Sequence, residues 1–135
     1  MPLMDDLRTR AASLPQVQLA VLFGSTARGE AGPRSDVDLG LLLAPDSLES
    51  RIDAEAEMGR AARRPVHVIF LNEAPPLLRF EIARDGVLLV EAKPYLWADF
   101  RAKAMVDWWD WAPTARKMQA AAIRQLHERV RHGEG

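Results

Sequence analysis

Residues 19–43 read LAVLFGSTARGEAGPRSDVDLGLLL, and this stretch decides the fold. An apolar run ends in Gly24 and Ser25, ten residues intervene, and a second apolar run opens with Asp36 and Asp38. The pattern predicts a strand, a tight turn with a short helix, a loop and a second strand. We interpret the rest of the chain outward from these two strands.

The two aspartates at the start of the second strand predict a metal site. Side chains in a strand alternate between faces, so Asp36 and Asp38 are expected to point the same way. Neighbouring carboxylates beside an apolar strand repel each other and are costly to desolvate, and a divalent cation offsets that cost. Mg²⁺ is the expected ion, because it binds one or two carboxylates together with phosphate oxygens.

The turn after the first strand predicts a phosphate-binding site. Gly24 has no side chain, so its backbone can approach a phosphate closely, and Ser25 adds a hydroxyl donor. The amides of residues 26–28, which open the short helix, also favour an anion. We therefore expect a triphosphate site and a metal site at the same end of two neighbouring strands.

These residues resemble a known family. Gly24-Ser25, a ten-residue gap and Asp36-x-Asp38 are similar to the G-S-x10-D-x-D signature of the DNA polymerase beta-like nucleotidyltransferase superfamily. The wider segment FGSTARGEAGPRSDVDLGLLL resembles its minimal nucleotidyltransferase (MNT) branch, whose members are often antitoxins paired with HEPN-type ribonuclease toxins. The resemblance implies that Gly24 and Ser25 hold a triphosphate with help from Arg28, and that both aspartates hold the metal.

The third strand departs from the superfamily pattern. The pattern has a further aspartate on a neighbouring strand, and His67 stands at the matching position within residues 66–71. Three interpretations stay open: His67 is the general base, the site binds nucleotide but transfers poorly without the third carboxylate, or His67 has no chemical role. Glu73, Glu81 and Asp85 follow as possible substitutes, and their spacing distinguishes none of them.

Strands that alternate with helices predict an α/β (α+β) fold with a small mixed sheet of about four strands flanked by helices. The predicted strands are residues 17–23, 36–43, 66–71 and 87–91, and the predicted helices are residues 3–13, 47–62 and 76–84, with residues 30–34 as a loop. Apolar spacing places one set of residues in each of two helices on inward faces. They are Leu48, Ile52, Ala56 and Met58 in the helix of residues 47–62, and Leu77, Leu78 and Ile82 in the helix of residues 76–84. From about residue 94 to 132 the chain is predicted to form C-terminal helices, divided by Pro113, within a single domain of residues 1–135.

Three tryptophans crowd the first of these C-terminal helices. Trp108, Trp109 and Trp111 cannot all lie on one side of a helix, so at least one is expected to be exposed or to meet another chain. Tryptophan is enriched at interface hot spots, which favours a partner surface. The alternative is that the tryptophans close the core of a small domain.

Composition excludes several classes of protein. The 135 residues are 48% hydrophobic and 27% charged, which is typical of a globular domain. A net charge of −1 argues against strong nucleic-acid binding. The chain has no cysteine, and we find no signal peptide and no apolar run of membrane-spanning length, which fits a cytoplasmic protein.

The resemblance implies a function. It predicts an antitoxin that binds ATP and Mg²⁺ and transfers AMP to a tyrosine hydroxyl of a HEPN-type toxin. One alternative is a catalytically weak or inactive fold that neutralises its partner by binding alone. A second alternative is a transferase that modifies a small molecule such as an antibiotic.

Overall fold

The computed structural model describes residues 2–29, 32 and 36–131. Most of the predicted loop at residues 30–34, and the chain from residue 132 onward, lie outside the described residues. The described elements are, in chain order, α1 (Pro2–Ser13), β1 (Val17–Phe23), α2 (Gly24–Ala27), β2 (Val37–Leu43), α3 (Leu48–Ala62), β3 (Val66–Phe70), α4 (Pro76–Asp85), β4 (Val87–Glu91) and α5 (Leu96–Arg131).

The strands form one mixed sheet in the order β3-β2-β1-β4. β1 is antiparallel to both of its neighbours, β2 and β4. β2 and β3 are parallel, and such a pair needs a crossover connection, which α3 provides. The predicted small mixed sheet flanked by helices is thus confirmed.

Each face of the sheet is covered by its own helices. α1 and α3 pack on one face, where Ala20 and Leu22 of β1 join the core. α4 and α5 pack on the other face, together with Leu19 and Val21 of the same strand. Because β1 is central and covered on both faces, its sequence is almost continuously apolar.

Helix α3 presents a different side to the core from the one its large apolar residues predict. Leu48 and Ile52 are 75% and 59% exposed, and Leu77 of α4 is 44% exposed, so these predictions were wrong. The predictions for Met58 and for Ile82 of α4, which are buried, are confirmed. The buried side of α3 is formed by residues four apart, namely Ser50, Ala54, Met58 and Ala62. Three of these four side chains are small, which allows α3 to lie close to its neighbours.

Helix α5 is a single helix from Leu96 to Arg131 that continues through Pro113, so the predicted division into two helices was wrong. Proline lacks the amide that would donate to the carbonyl of Trp109, four residues earlier. Trp109 lies on the exposed side of the helix, at 78% exposure, where water can take the place of the missing donor. In the part of the chain that the structure describes, no helix has both the length and the apolar character needed to cross a bilayer.

Candidate functional site

The candidate site begins where β1 ends. Gly24 opens α2 with a φ of +71°, a conformation that residues with a side chain rarely adopt. A Cβ built at Gly24 would collide with Oδ2 of Asp38 and lie 3.1 Å from its Cγ. The collision follows from strand pairing, because Phe23 is opposite Asp38 in the antiparallel register. The missing side chain of Gly24 therefore serves both the turn and the close approach of a carboxylate.

His67 lies beside Asp38. The parallel register of β2 and β3 pairs these two residues, and Nδ1 of His67 is 3.2 Å from Oδ1 of Asp38. An ionised carboxylate can only accept, so Nδ1 carries the proton of this hydrogen bond and Nε2 is left as the proton acceptor. The His67 side chain is 63% exposed, so an incoming hydroxyl group can reach it.

Asp36 lies two residues before Asp38, outside the strand. β2 begins at Val37, one residue later than predicted, and the Asp36 side chain is exposed. Among the described residues, no group of three or more His, Cys, Asp or Glu side chains is arranged to hold a metal ion. Two carboxylates completed by phosphate oxygens are nevertheless a donor set that Mg²⁺ uses, so Asp36 and Asp38 fit an ion that arrives with a nucleotide.

A cleft of about 270 Å³ opens on the turn and reaches helix α4. Its lining residues are Phe23, Gly24, Arg28, Glu81, Arg84 and Asp85. Arg84 binds both carboxylate oxygens of Asp85 at 2.8 to 3.1 Å, and this hydrogen bonding lowers the pKa of the Asp85 carboxyl. Two guanidinium groups, from Arg28 and Arg84, thus line a cleft that includes the turn at Gly24.

The structure shows which of the three carboxylates downstream of His67 lie near the candidate site, a point that their spacing in the sequence left open. Glu73 follows β3 at the end remote from His67, where it pairs with Arg51 at 2.7 Å. Glu81 and Asp85 instead line the cleft beside Gly24. The contribution of Arg84 was missed by sequence analysis, and its only signal was the spacing of residues 81, 84 and 85 on one side of a helix.

Comparison with solved structures shows a shared fold. A chain of a toxin–antitoxin complex with AMP-PNP superposes with a TM-score of 0.76 at 20% identity, over 89% of this chain and 98% of that one. A chain of the toxin–antitoxin complex MntA-HepT gives a TM-score of 0.70 at 18% identity, over 90% and 97% of the two chains. A third match is a chain of the complex between the tri-AMPylated HEPN toxin of Shewanella oneidensis and an MNT antitoxin. It gives a TM-score of 0.68 at 18% identity, over 89% of this chain and 98% of that one.

Comparison of sequences gives the family. No curated protein matches this chain. The family profile described as Polymerase beta, Nucleotidyltransferase matches residues 6–95, which include the turn, both aspartates and His67. The matched part is most of the chain, and the resemblance in the motif is confirmed by the profile and by the fold. The chain therefore belongs to the polymerase beta nucleotidyltransferase family.

Proposed function

We propose that this chain is a nucleotidyltransferase antitoxin that uses ATP and Mg²⁺ to transfer AMP to a tyrosine hydroxyl of a HEPN-type toxin in the cytoplasm. The observation that carries the proposal is the convergence of the Gly24 turn, Asp38 and His67 at one end of the sheet. The choice of nucleotide and acceptor is supported by two neighbours in fold, one a complex with AMP-PNP and one containing an AMPylated HEPN toxin.

Most residues of the site have a role in binding the nucleotide and its metal ion. The backbone of Gly24 and the hydroxyl of Ser25 hold the triphosphate with help from Arg28, which lines the same cleft. Arg84 also lines this cleft, where its charge is balanced by Asp85. Asp36 and Asp38 would hold Mg²⁺ against the phosphate oxygens. When bound, the ion neutralises phosphate charge and steadies the leaving pyrophosphate.

The transfer step needs a base, and His67 provides one. The tyrosine oxygen forms a bond to the α-phosphorus while the bond from that phosphorus to the bridging oxygen breaks, and pyrophosphate leaves. The tyrosine proton passes to Nε2 of His67. The resulting imidazolium is stabilised by Asp38, which already accepts from Nδ1. This is the arrangement of a carboxylate that orients and supports a histidine base.

The test is the intact mass of a HEPN-type protein encoded beside this chain, after incubation with the chain, ATP and Mg²⁺. We expect added AMP, and we expect Asp38→Asn to abolish it. His67→Ala should slow transfer by about 100-fold or more, the usual contribution of a general base, whereas His67→Asp should retain transfer. His127→Ala, at an exposed histidine of α5, is the matched control and should transfer at the rate of the parent protein.

A second candidate function is neutralisation by binding alone. It is favoured by His67 at the position of the family aspartate, which leaves Asp36 and Asp38 as the only carboxylates of the matched motif. An unchanged toxin mass within a stable complex, with transfer appearing only in His67→Asp, would identify this function. Transfer of AMP to an antibiotic but not to a protein would identify the small-molecule transferase instead.

A further inference from the structure

Helix α5 is apolar on one side along much of its length, but only its first half is covered. Phe100 and Ala104 are buried, at 7% and 0% exposure. Met118 and Ala122 lie eighteen residues further on, which is five full turns, so they project from the same side as those two residues. Leu126 follows one turn later, and Met118 and Leu126 are 65% and 58% exposed. We refer to Met118, Ala122 and Leu126 as the distal stripe.

A tryptophan-lined groove adjoins the distal stripe. It has a volume of about 480 Å³ and is lined by Leu77, Trp108, Trp111, Ala112, Arg116 and Gln119. Trp108 stacks on Phe80 with a centroid distance of 5.2 Å and contacts Trp111 at 5.5 Å. Aromatic side chains held in place beside an open groove are typical anchors for an apolar side chain of a partner.

The charge around this surface determines which partner fits. Residues 114–129 contain a single acidic residue, Glu128, and four basic residues, namely Arg116, Lys117, Arg124 and Arg129. Arg116 lines the groove, and Arg129 follows Leu126 by three residues, so both border the apolar surface. A symmetric pair of copies would bring these basic borders together and repel. An amphipathic helix with acidic borders complements both the apolar side and the charge.

We infer that the distal stripe and the tryptophan-lined groove dock an acidic-bordered amphipathic helix of the protein that accepts AMP, an inference that rests on the proposed function. Helix α5 is fixed to α4 by the bond from Nε of Arg101 to the carbonyl of Ala83 at 3.0 Å. Helix α4 in turn carries Arg84 into the nucleotide cleft. A partner held on α5 is thereby positioned relative to the nucleotide.

The experiment measures the affinity of the full chain for the HEPN-type protein encoded beside it, by calorimetric titration. We expect each of two double variants to weaken binding by at least about 30-fold, the effect of losing an interface hot spot. The first combines Met118→Asp with Leu126→Asp, and the second combines Arg116→Glu with Arg129→Glu. Lys117→Glu with Arg124→Glu makes the same change of charge on the other side of the helix. This control should stay within about threefold of the parent.

Binding of AMP-PNP, measured on each variant without the partner, separates the possible failures. A parent chain that binds neither AMP-PNP nor the HEPN-type protein overturns the proposed function together with this inference. A parent chain that transfers AMP, with stripe and control variants binding the partner equally well, overturns the docking surface alone. Two further outcomes would assign the surface to another occupant and also overturn the inference. One is a dimer in light scattering that dissociates in Leu126→Asp. The other is binding to anionic vesicles in place of the HEPN-type protein.

Discussion

Gly24 and Gly29 both lie in the left-handed region, with φ of +71° and +73°, but their surroundings differ. A Cβ at Gly24 meets the carboxylate of Asp38, whereas a Cβ at Gly29 has nothing within 4 Å. We therefore expect Gly24→Ala to lower the free energy of unfolding and to weaken AMP-PNP binding. Gly29→Ala should cost only the backbone strain, about 1–2 kcal/mol.

Urea denaturation and nucleotide titration of the two variants measure this difference. Because both glycines have nearly the same φ, the extra loss in Gly24→Ala reports the contact with Asp38 and not the backbone. Equal unfolding free energies and equal nucleotide affinities for the two variants would contradict the close approach of the Asp38 carboxylate to the turn.

The sequence predicted that Gly24, Asp38 and His67 lie together, but it did not predict that Arg84 lines the same cleft. Gly24 and Asp38 belong to one motif within a short stretch of sequence, and the resemblance to the superfamily pattern placed His67 on a neighbouring strand, where the structure pairs it with Asp38. Arg84 comes from α4, whose approach to the turn depends on how that helix packs against the sheet. No local pattern encodes that packing, so its role had to come from the structure.

At the scale of the elements, the contact between α4 and α5 depends on one of two adjacent tryptophans. Trp108 stacks on Phe80, whereas Trp109 is 78% exposed. We expect Trp108→Ala to lower the free energy of unfolding by about 1–2 kcal/mol, because this side chain is half-buried, and Trp109→Ala by no more than about 0.5 kcal/mol. Urea denaturation checks both values, and equal effects would show that the stack does not hold the helices together.

The helices also show where sequence patterns fail. The exposed Leu48 and Ile52 fall on an apolar spacing, yet the close packing of α3 selects the side with Ser50 and Ala54. Pro113 looked like a boundary, because proline removes a hydrogen bond in the interior of a helix. The exposed position of this proline made the loss tolerable, and exposure is a property of the packed molecule that the sequence does not state.

At the scale of the whole molecule, the end of α5 contributes little to the core. The last buried residue of the described chain is Ala112, at 9% exposure. We expect a chain that stops after Gln119 to unfold at the same urea concentration as the parent and to bind AMP-PNP with the same affinity, because it keeps every side chain that the structure describes as buried. Its binding to the HEPN-type protein should be lost. A lower unfolding midpoint would instead show that the end of α5 stabilises the domain.

The sheet itself was predictable, because its four strands are short apolar runs separated by turns and helices. Their order was not, since the position of β4 beside β1 follows from long-range pairing. Helices α4 and α5 lie on one face of the sheet, and α1 and α3 lie on the other. This placement results from packing, and the hydrophobic periodicity of each helix does not determine which face it covers.

His67 lies on β3, an outer strand of the sheet, and most of its side chain faces solvent. A replacement there changes the chemistry beside Asp38 while the packed core stays as it is. The codons for histidine and aspartate differ by a single nucleotide, so one point mutation exchanges the two residues at little risk to folding. Under the proposed function, such an exchange changes the base of the site, with selection acting on the reaction and not on the stability of the domain.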